Sequence, residues 1–130
     1  MRLLLDTHVF LWYITANPKL PLTFRAAIQD SDNVVYLSVV SVWEAVIKYH
    51  LDKLPLSAPP ATYLPRQREA HGIKSLPIDE SVMPHLASLP PLHRDPFDRI
   101  LIAQALRHGL TLATVDSEVI AYSVPVVSQY

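Results

Sequence analysis

The stretch that decides the reading is His93-Arg94-Asp95-Pro96-Phe97-Asp98-Arg99, which runs directly into Ile100-Leu101-Ile102-Ala103-Gln104-Ala105. Two aspartates three residues apart bracket a proline at the mouth of an apolar helix. Asp95 suits the N-cap, Pro96 the first helical position and Asp98 the third. The helix is expected to run to about His108, with Gly109 as its terminator. An acid pair placed this way resembles the mouth of a metal site, and three more carboxylates lie in similar places along the chain.

Working outward, Leu3-Leu4-Leu5 reads as a strand buried on both faces. Asp6-Thr7-His8 ends it and opens a helix carrying Val9, Phe10, Trp12 and Tyr13. Leu22 to Asp30 is a second short helix, and Val34 to Leu37 a second strand. Ser41 is expected to open the next helix, with Trp43, Val46, Ile47, His50 and Leu51 forming its apolar face at spacings 0, 3, 4, 7 and 8. Leu54 to Pro65 holds four prolines and is expected to be mostly loop. A short helix to His71, a strand from Ile73 to Ile78, a helix from Asp79 toward Leu89, a strand from Leu110 to Thr114, a turn or two of helix from Asp116 and a last strand from Val124 to Val127 complete the pattern. Strands alternating with helices predict an α/β fold, a parallel sheet of four to five strands with helices on both faces.

The chain of 130 residues is expected to form a single domain, 1–130, and half of it is apolar, enough for one core. A net charge of −1 leaves no basic footprint, so contact with nucleic acid must come from a local patch or from metal ions. The chain has no cysteine, which excludes disulfides and thiolate metal sites and agrees with a reducing, cytoplasmic setting. No apolar run reaches the roughly 18 residues of a membrane span, and the N-terminal run is too short for a signal peptide.

Asp6, Glu44, Asp98 and Asp116 each stand at the start of a helix. Asp6 and Asp116 directly follow strands, where ligands of open parallel sheets bind. Each acid alone has a bland reading as a cap or a dipole partner; Ser41-Val42-Trp43-Glu44 fits a capping box, and Glu44 stands four residues before Lys48. Gathered together, four carboxylates would repel, and a fold that gathers them calls for a cation. Oxygen-only ligands point to Mg2+, with Mn2+ as the alternative. A divalent ion among carboxylates suits hydrolysis of a phosphodiester.

Leu4-Leu5-Asp6-Thr7-His8, Ser41-Val42-Trp43-Glu44, Asp95-Pro96-Phe97-Asp98-Arg99 with Ile102-Ala103-Gln104-Ala105, and Leu112-Ala113-Thr114-Val115-Asp116 resemble the ordered motifs of the PIN domain, above all of VapC-type toxins of toxin–antitoxin pairs. The resemblance implies a three-layer α/β/α sandwich and a metal-dependent endoribonuclease, with Asp6, Glu44, Asp98 and Asp116 as its catalytic and metal-binding acids. By the family pattern Asp98 is preferred over Asp95, which is a cap or an auxiliary ligand. Thr114 would orient a carboxylate or a water. The resemblance further implies a homodimer, a cognate antitoxin and, through the antitoxin alone, DNA. For holding RNA the candidates are Arg94, Arg99, Lys48 and His8, with His93 also near the site; Arg99 and Lys48 could equally pair with nearby acids. Trp12 and Trp43 could stack bases, but their helical faces favour core packing.

Two rivals stand beside this reading. A phosphotransfer enzyme could use an aspartate after strand one. Yet a dehalogenase-like phosphatase wants Asp two residues later, where this chain has His8, and the chain's two glycines leave no phosphate loop. A non-catalytic module that kept the fold is the other, and four intact acids argue against it.

Overall fold

The computed structural model describes residues 1–92 and 95–130; His93 and Arg94, and the RNA-binding expectations attached to them, lie outside the described residues. Four parallel strands, β1 (Arg2–Leu5), β2 (Val34–Ser38), β3 (Lys74–Leu76) and β4 (Thr111–Ala113), form one sheet in the order β3-β2-β1-β4. The chain steps from β1 to β2 to β3 in one direction and returns to the other side of β1 for β4. The reversal therefore lies between β1 and β4, the place where open α/β sheets bind ligands.

Helices α1 (Thr7–Ile14), α2 (Leu22–Gln29), α3 (Val39–His50), α4 (Pro60–Ala70), α5 (Met83–Ser88), α6 (Pro96–His108) and α7 (Ser117–Ile120) fill the connections, with a 3-10 turn at Glu80–Val82. Side chains alternate along β1. Leu3 and Leu5 join Phe10, Phe24, Leu37 and Leu64 in one core. Leu4 points the other way and joins Leu101, Ile102, Leu110 and Leu112. The apolar run Leu3 to Leu5 thus supplies two cores, giving three layers.

Four expectations need correction. Val124 to Val127 makes an isolated parallel bridge from Val126 to Leu112 and no strand, so the sheet has four strands among the described residues. The third strand is shorter than Ile73 to Ile78, because Pro77 has no N–H to continue the ladder. The proline-rich segment is half helix: Pro60 takes the first position of α4, where the missing N–H goes unused, and Pro65 is tolerated inside it while its neighbour Leu64 packs into the core. Finally, α3 starts two residues before Ser41. Ser38 is its N-cap, accepting from the Val40 N–H at 3.1 Å, and Ser41 lies inside the first turn.

That shift removes the capping box, and the buried face of α3 also differs from the one the periodicity predicts. The face α3 buries is Val40, Ser41, Glu44 and Ala45, while Trp43 and Leu51 stay 52% and 58% exposed. His50 is exposed as well. Trp43 rests edge-on against Phe97 of α6, with ring centroids 5.1 Å apart, and does not enter the core. Of the apolar stripe read from the sequence, Trp43, His50 and Leu51 are exposed and Val46 and Ile47 half-buried.

Candidate functional site

At the carboxyl ends of β1 and β4 lies a cavity of about 240 Å³ walled by Asp6, His8, Trp12, Glu44, Lys48, Asp95, Asp98, Val115 and Asp116. Every acid singled out in the sequence reaches it.

Asp6 is the N-cap of α1 and is 8% exposed. One carboxylate oxygen accepts from the His8 N–H at 3.3 Å, the other from the Thr114 hydroxyl at 2.7 Å. The Thr114 oxygen in turn accepts from the Asp116 N–H at 3.1 Å, so a fully buried threonine ties the acid after β1 to the acid after β4. Asp116 caps α7 through the Glu118 N–H at 2.9 Å. Burial raises the pKa of Asp6 above its ordinary value, and the nearby Glu44 carboxylate adds to the rise; the Thr114 bond, the His8 ring and the His8 N–H oppose it without cancelling it.

Glu44 comes from the middle of α3 and is 3% exposed. Both of its oxygens are engaged. The Thr7 hydroxyl donates to Oε1 at 2.8 Å, and Lys48 Nζ sits 2.5 Å from Oε2, one helical turn along. Ser41 Oγ lies 2.9 Å from Thr7 Oγ1 and supplies the remaining bond of that hydroxyl, whose single proton is committed to the carboxylate. Partial burial on its own would lower the Lys48 pKa. The bond to Glu44 and the attraction of Glu44, Asp95 and Asp98 outweigh it and leave the ammonium's pKa raised. Lys48 is thus the counter-ion of the pocket.

Asp95 and Asp98 come from the first turn of α6. Asp95 is the N-cap, accepting from the Phe97 N–H at 2.9 Å and the Asp98 N–H at 3.5 Å, which accounts for its place without any ligand role. Asp98, half-buried at the third helical position, lines the pocket. Gly109 closes α6 in the left-handed conformation at φ 65°, as its position suggested.

The structure does not bring Arg99 to the pocket wall. Its guanidinium bonds to the carbonyl of Pro90 at 2.9 Å and to the Tyr122 hydroxyl at 3.0 Å, and so pins the loop before α6. His8 and Lys48 do reach the wall. Three contributors escaped sequence reasoning. Thr7 read as the end of a strand, and Trp12 read as core; it packs partly against the core yet also walls the cavity. Ser41 stands three residues before Glu44, a spacing taken for a cap that serves a lateral polar contact instead.

A divalent ion fits the chemistry of this donor set. All the acidic donors are hard oxygens, and the buried Asp6 carboxylate, raised by burial and by Glu44, gains most from a cation. Among the described residues no three acids or imidazoles already stand at ion-binding spacing. Magnesium does not demand such a cage, since it is commonly held by one or two carboxylates together with waters and a substrate phosphate.

Comparison with known proteins bears on the family and the fold. Ribonuclease VapC22 of Mycobacterium tuberculosis (strain ATCC 25618 / H37Rv) is 29% identical over 114 residues, 87% of this chain and 85% of the relative. Ribonuclease VapC16 of the same organism is 39% identical over 61 residues, and that match spans 47% of this chain and only 43% of the relative. Among solved structures, FitAcB from Neisseria gonorrhoeae superposes with a TM-score of 0.63 at 26% identity, covering 98% of this chain and 97% of the other. VapBC2 from Rickettsia felis, bound to a DNA fragment from its promoter, shares the fold with a TM-score of 0.73 at 14% identity, over 97% of each chain. The model of the PIN domain matches residues 3–124, a span that takes in every acid of the pocket, and the chain belongs to the PIN domain family.

Proposed function

We propose that this protein is a divalent-metal-dependent endoribonuclease acting in the cytoplasm as the toxin of a toxin–antitoxin pair, with residues 1–130 working as one PIN-like unit. The observation that carries the reading is the convergence of Asp6, Glu44, Asp98 and Asp116 on one pocket at the sheet's reversal point. Similarity to ribonucleases of the VapC type supports the substrate class.

In this reading Asp6, Asp98 and Asp116 hold Mg2+, or Mn2+ in its place, and Asp95 remains a cap. When bound, such an ion activates water for in-line attack and offsets charge on the leaving oxygen. Thr114 positions the Asp6 carboxylate through its hydroxyl. Glu44 keeps the floor of the pocket anionic, held by Thr7 on one oxygen and Lys48 on the other; ligation by Glu44 requires Lys48 to move aside. Lys48 and His8 face the incoming phosphate, and Arg94 is a further candidate for that contact. The protein is proposed to bind an antitoxin and a second copy of itself, with DNA reached only through the antitoxin. The half-exposed apolar face of α3 at Trp43 and Leu51 is a surface suited to a protein partner.

The test is RNA cleavage with Mg2+, with Mn2+ and with EDTA, beside Asp98→Asn. Cleavage is expected with either ion, to cease in EDTA, and to cease in Asp98→Asn while the circular dichroism spectrum is unchanged. Cleavage that persists in EDTA removes the metal mechanism; full activity in Asp98→Asn removes that residue's role.

A further inference from the structure

Asp6, His8 and Trp12 belong to one helix and its cap. His8 and Trp12 stand one turn apart, with ring centroids 6.3 Å apart and planes tilted by 56°. Both residues line the acid pocket, and both also line a second cavity of about 350 Å³, bordered by Leu11, Asn17, Lys19 and Leu56. The two cavities therefore adjoin, and Trp12 and His8 line the path from one to the other on both sides.

We infer that this second cavity seats one unpaired base of the RNA strand, that of a nucleotide next to the cleaved bond, stacked on Trp12. The inference rests on the proposed nuclease activity and names a subsite for it. Charge divides the path into two parts. The acid pocket carries five carboxylates, while the residues lining the second cavity include none and present Lys19 at its border. A strand that delivers its scissile phosphate to a cation among the acids meets apolar walls, an indole and an ammonium in the adjoining cavity. Trp12 packs against the core on one part of its surface, so its ring is held in place before any ligand arrives. The volume is at the small end of ligand sites and takes one base, not a duplex. The polar border suits a base edge: the Thr15 hydroxyl already donates to the Leu11 carbonyl at 2.7 Å and offers its oxygen as an acceptor. Asn17 Oδ1 accepts from the Lys19 N–H at 2.9 Å, so its amide group remains as a donor. The lining residues come from α1, the turn after it and the loop at 54–56, so no strand edge borders the cavity for an extended peptide to pair with.

The chain has two tryptophans, so Trp43→Phe leaves Trp12 as the sole indole. Combined with Asp98→Asn, this full-length variant reads binding without cutting. Titration with a single-stranded RNA hexamer in Mg2+ is expected to quench at least half of the Trp12 emission. An abasic ribose at one position beside the mapped cleavage site is expected to weaken binding about tenfold. Trp12→Leu, read by anisotropy of labelled RNA, is expected to weaken it similarly, with Trp12→Phe recovering most of the loss. The abasic and Trp12→Leu losses are expected not to multiply when combined. Losses that multiply overturn the inference. RNA binding that leaves Trp12 emission unchanged also overturns it. Failure of the nuclease reading would show separately, as wild-type protein that leaves RNA intact in Mg2+.

Discussion

Helices α3 and α6 each carry one acid to the same pocket, but by different routes. Helix α6 presents Asp98 from its first turn, where the helix dipole favours a carboxylate and Asp95 caps the exposed N–H groups. The local sequence is sufficient for that arrangement. Helix α3 presents Glu44 from its middle, on the face it buries, where no dipole helps. Glu44 therefore depends on partner side chains, Thr7 from α1 and Lys48 from the next turn of α3 itself. An acid at a helix mouth is stabilised by its helix backbone, whereas an acid inside the layers is stabilised by partner side chains, one from its own helix and one from another.

The largest expected effect on stability separates the two. Lys48→Met leaves a buried Glu44 carboxylate facing Asp6 without its counter-ion. Breaking a fully buried pair costs about 3–5 kcal/mol; Lys48 is about one-third exposed, so roughly 2 kcal/mol is expected. Asp98→Asn should change stability by less than about 1 kcal/mol, because Asp95 still caps α6. Denaturant melts of both variants decide the comparison, and equal losses would break it. The raised Lys48 pKa adds a pH signature. Its stabilisation is fully present below the unfolded value of 10.5 and is lost as pH rises through the higher folded value, so the gap to Lys48→Met should hold across neutral pH.

A second test concerns what couples the helices. Ser38, the cap of α3, donates to Gln104 Oε1 of α6 at 2.6 Å, and Gln104 Nε2 reaches the Pro77 carbonyl at 3.3 Å. Ser38 and Gln104 are both fully buried. Ser38→Ala removes a cap and leaves a buried amide oxygen unpaired, at a cost of about 1.5–2 kcal/mol. Adding Gln104→Leu should cost less than the sum of the two single changes, because one network is being removed twice. Strict additivity would mean that the two helices are positioned independently.

Asp6 is the intermediate case, a cap by position but buried like Glu44. Its folded pKa is raised, so between 3.8 and the folded value the native state holds a proton that the unfolded chain has released. Stability falls as pH rises through that window, and the whole cost is present above it. In EDTA, Asp6→Asn should therefore melt above wild type at pH 7, with the gap closing as pH falls toward 3.8. A cap asparagine retains the bond from the His8 N–H. A lower melting temperature for Asp6→Asn at pH 7 would place Asp6 with Asp98, as an acid its own helix stabilises.

The same division explains what was legible in the sequence. Asp95, Pro96, Asp98 and Gly109 announced α6 because capping is local chemistry, and Leu3 to Leu5 announced a doubly buried strand through composition alone. The ordered acids of distant segments line one pocket. The orientation of α3 was not legible, because periodicity identifies an apolar face without saying whether a core covers it. Ser41 and Glu44 went inward beside Val40 and Ala45 because Thr7 answers both from 34 or more residues away, a pairing no spacing announces; only the Glu44–Lys48 pair was legible. Arg99 was misplaced for a related reason: its partners, Pro90 and Tyr122, are set by how loops fold back over α6. Pairings made by the tertiary fold leave no mark on spacing.

The smallest expected effect lies on the outer face of α3. Trp43 is 52% exposed and touches Phe97 edge-on. Within one chain, Trp43→Ser forfeits an aromatic pair and part of a buried ring, about 1 kcal/mol. A face that a second copy covers would behave differently. Its loss would then depend on protein concentration, because association adds to the stability of the native state. Melts of wild type and Trp43→Ser across a hundredfold range of concentration separate the cases. A difference that stays near 1 kcal/mol throughout confines Trp43 to its contact with Phe97. A difference that widens with concentration means that the apolar face left outside by the burial of Glu44 is covered by another molecule of the same chain.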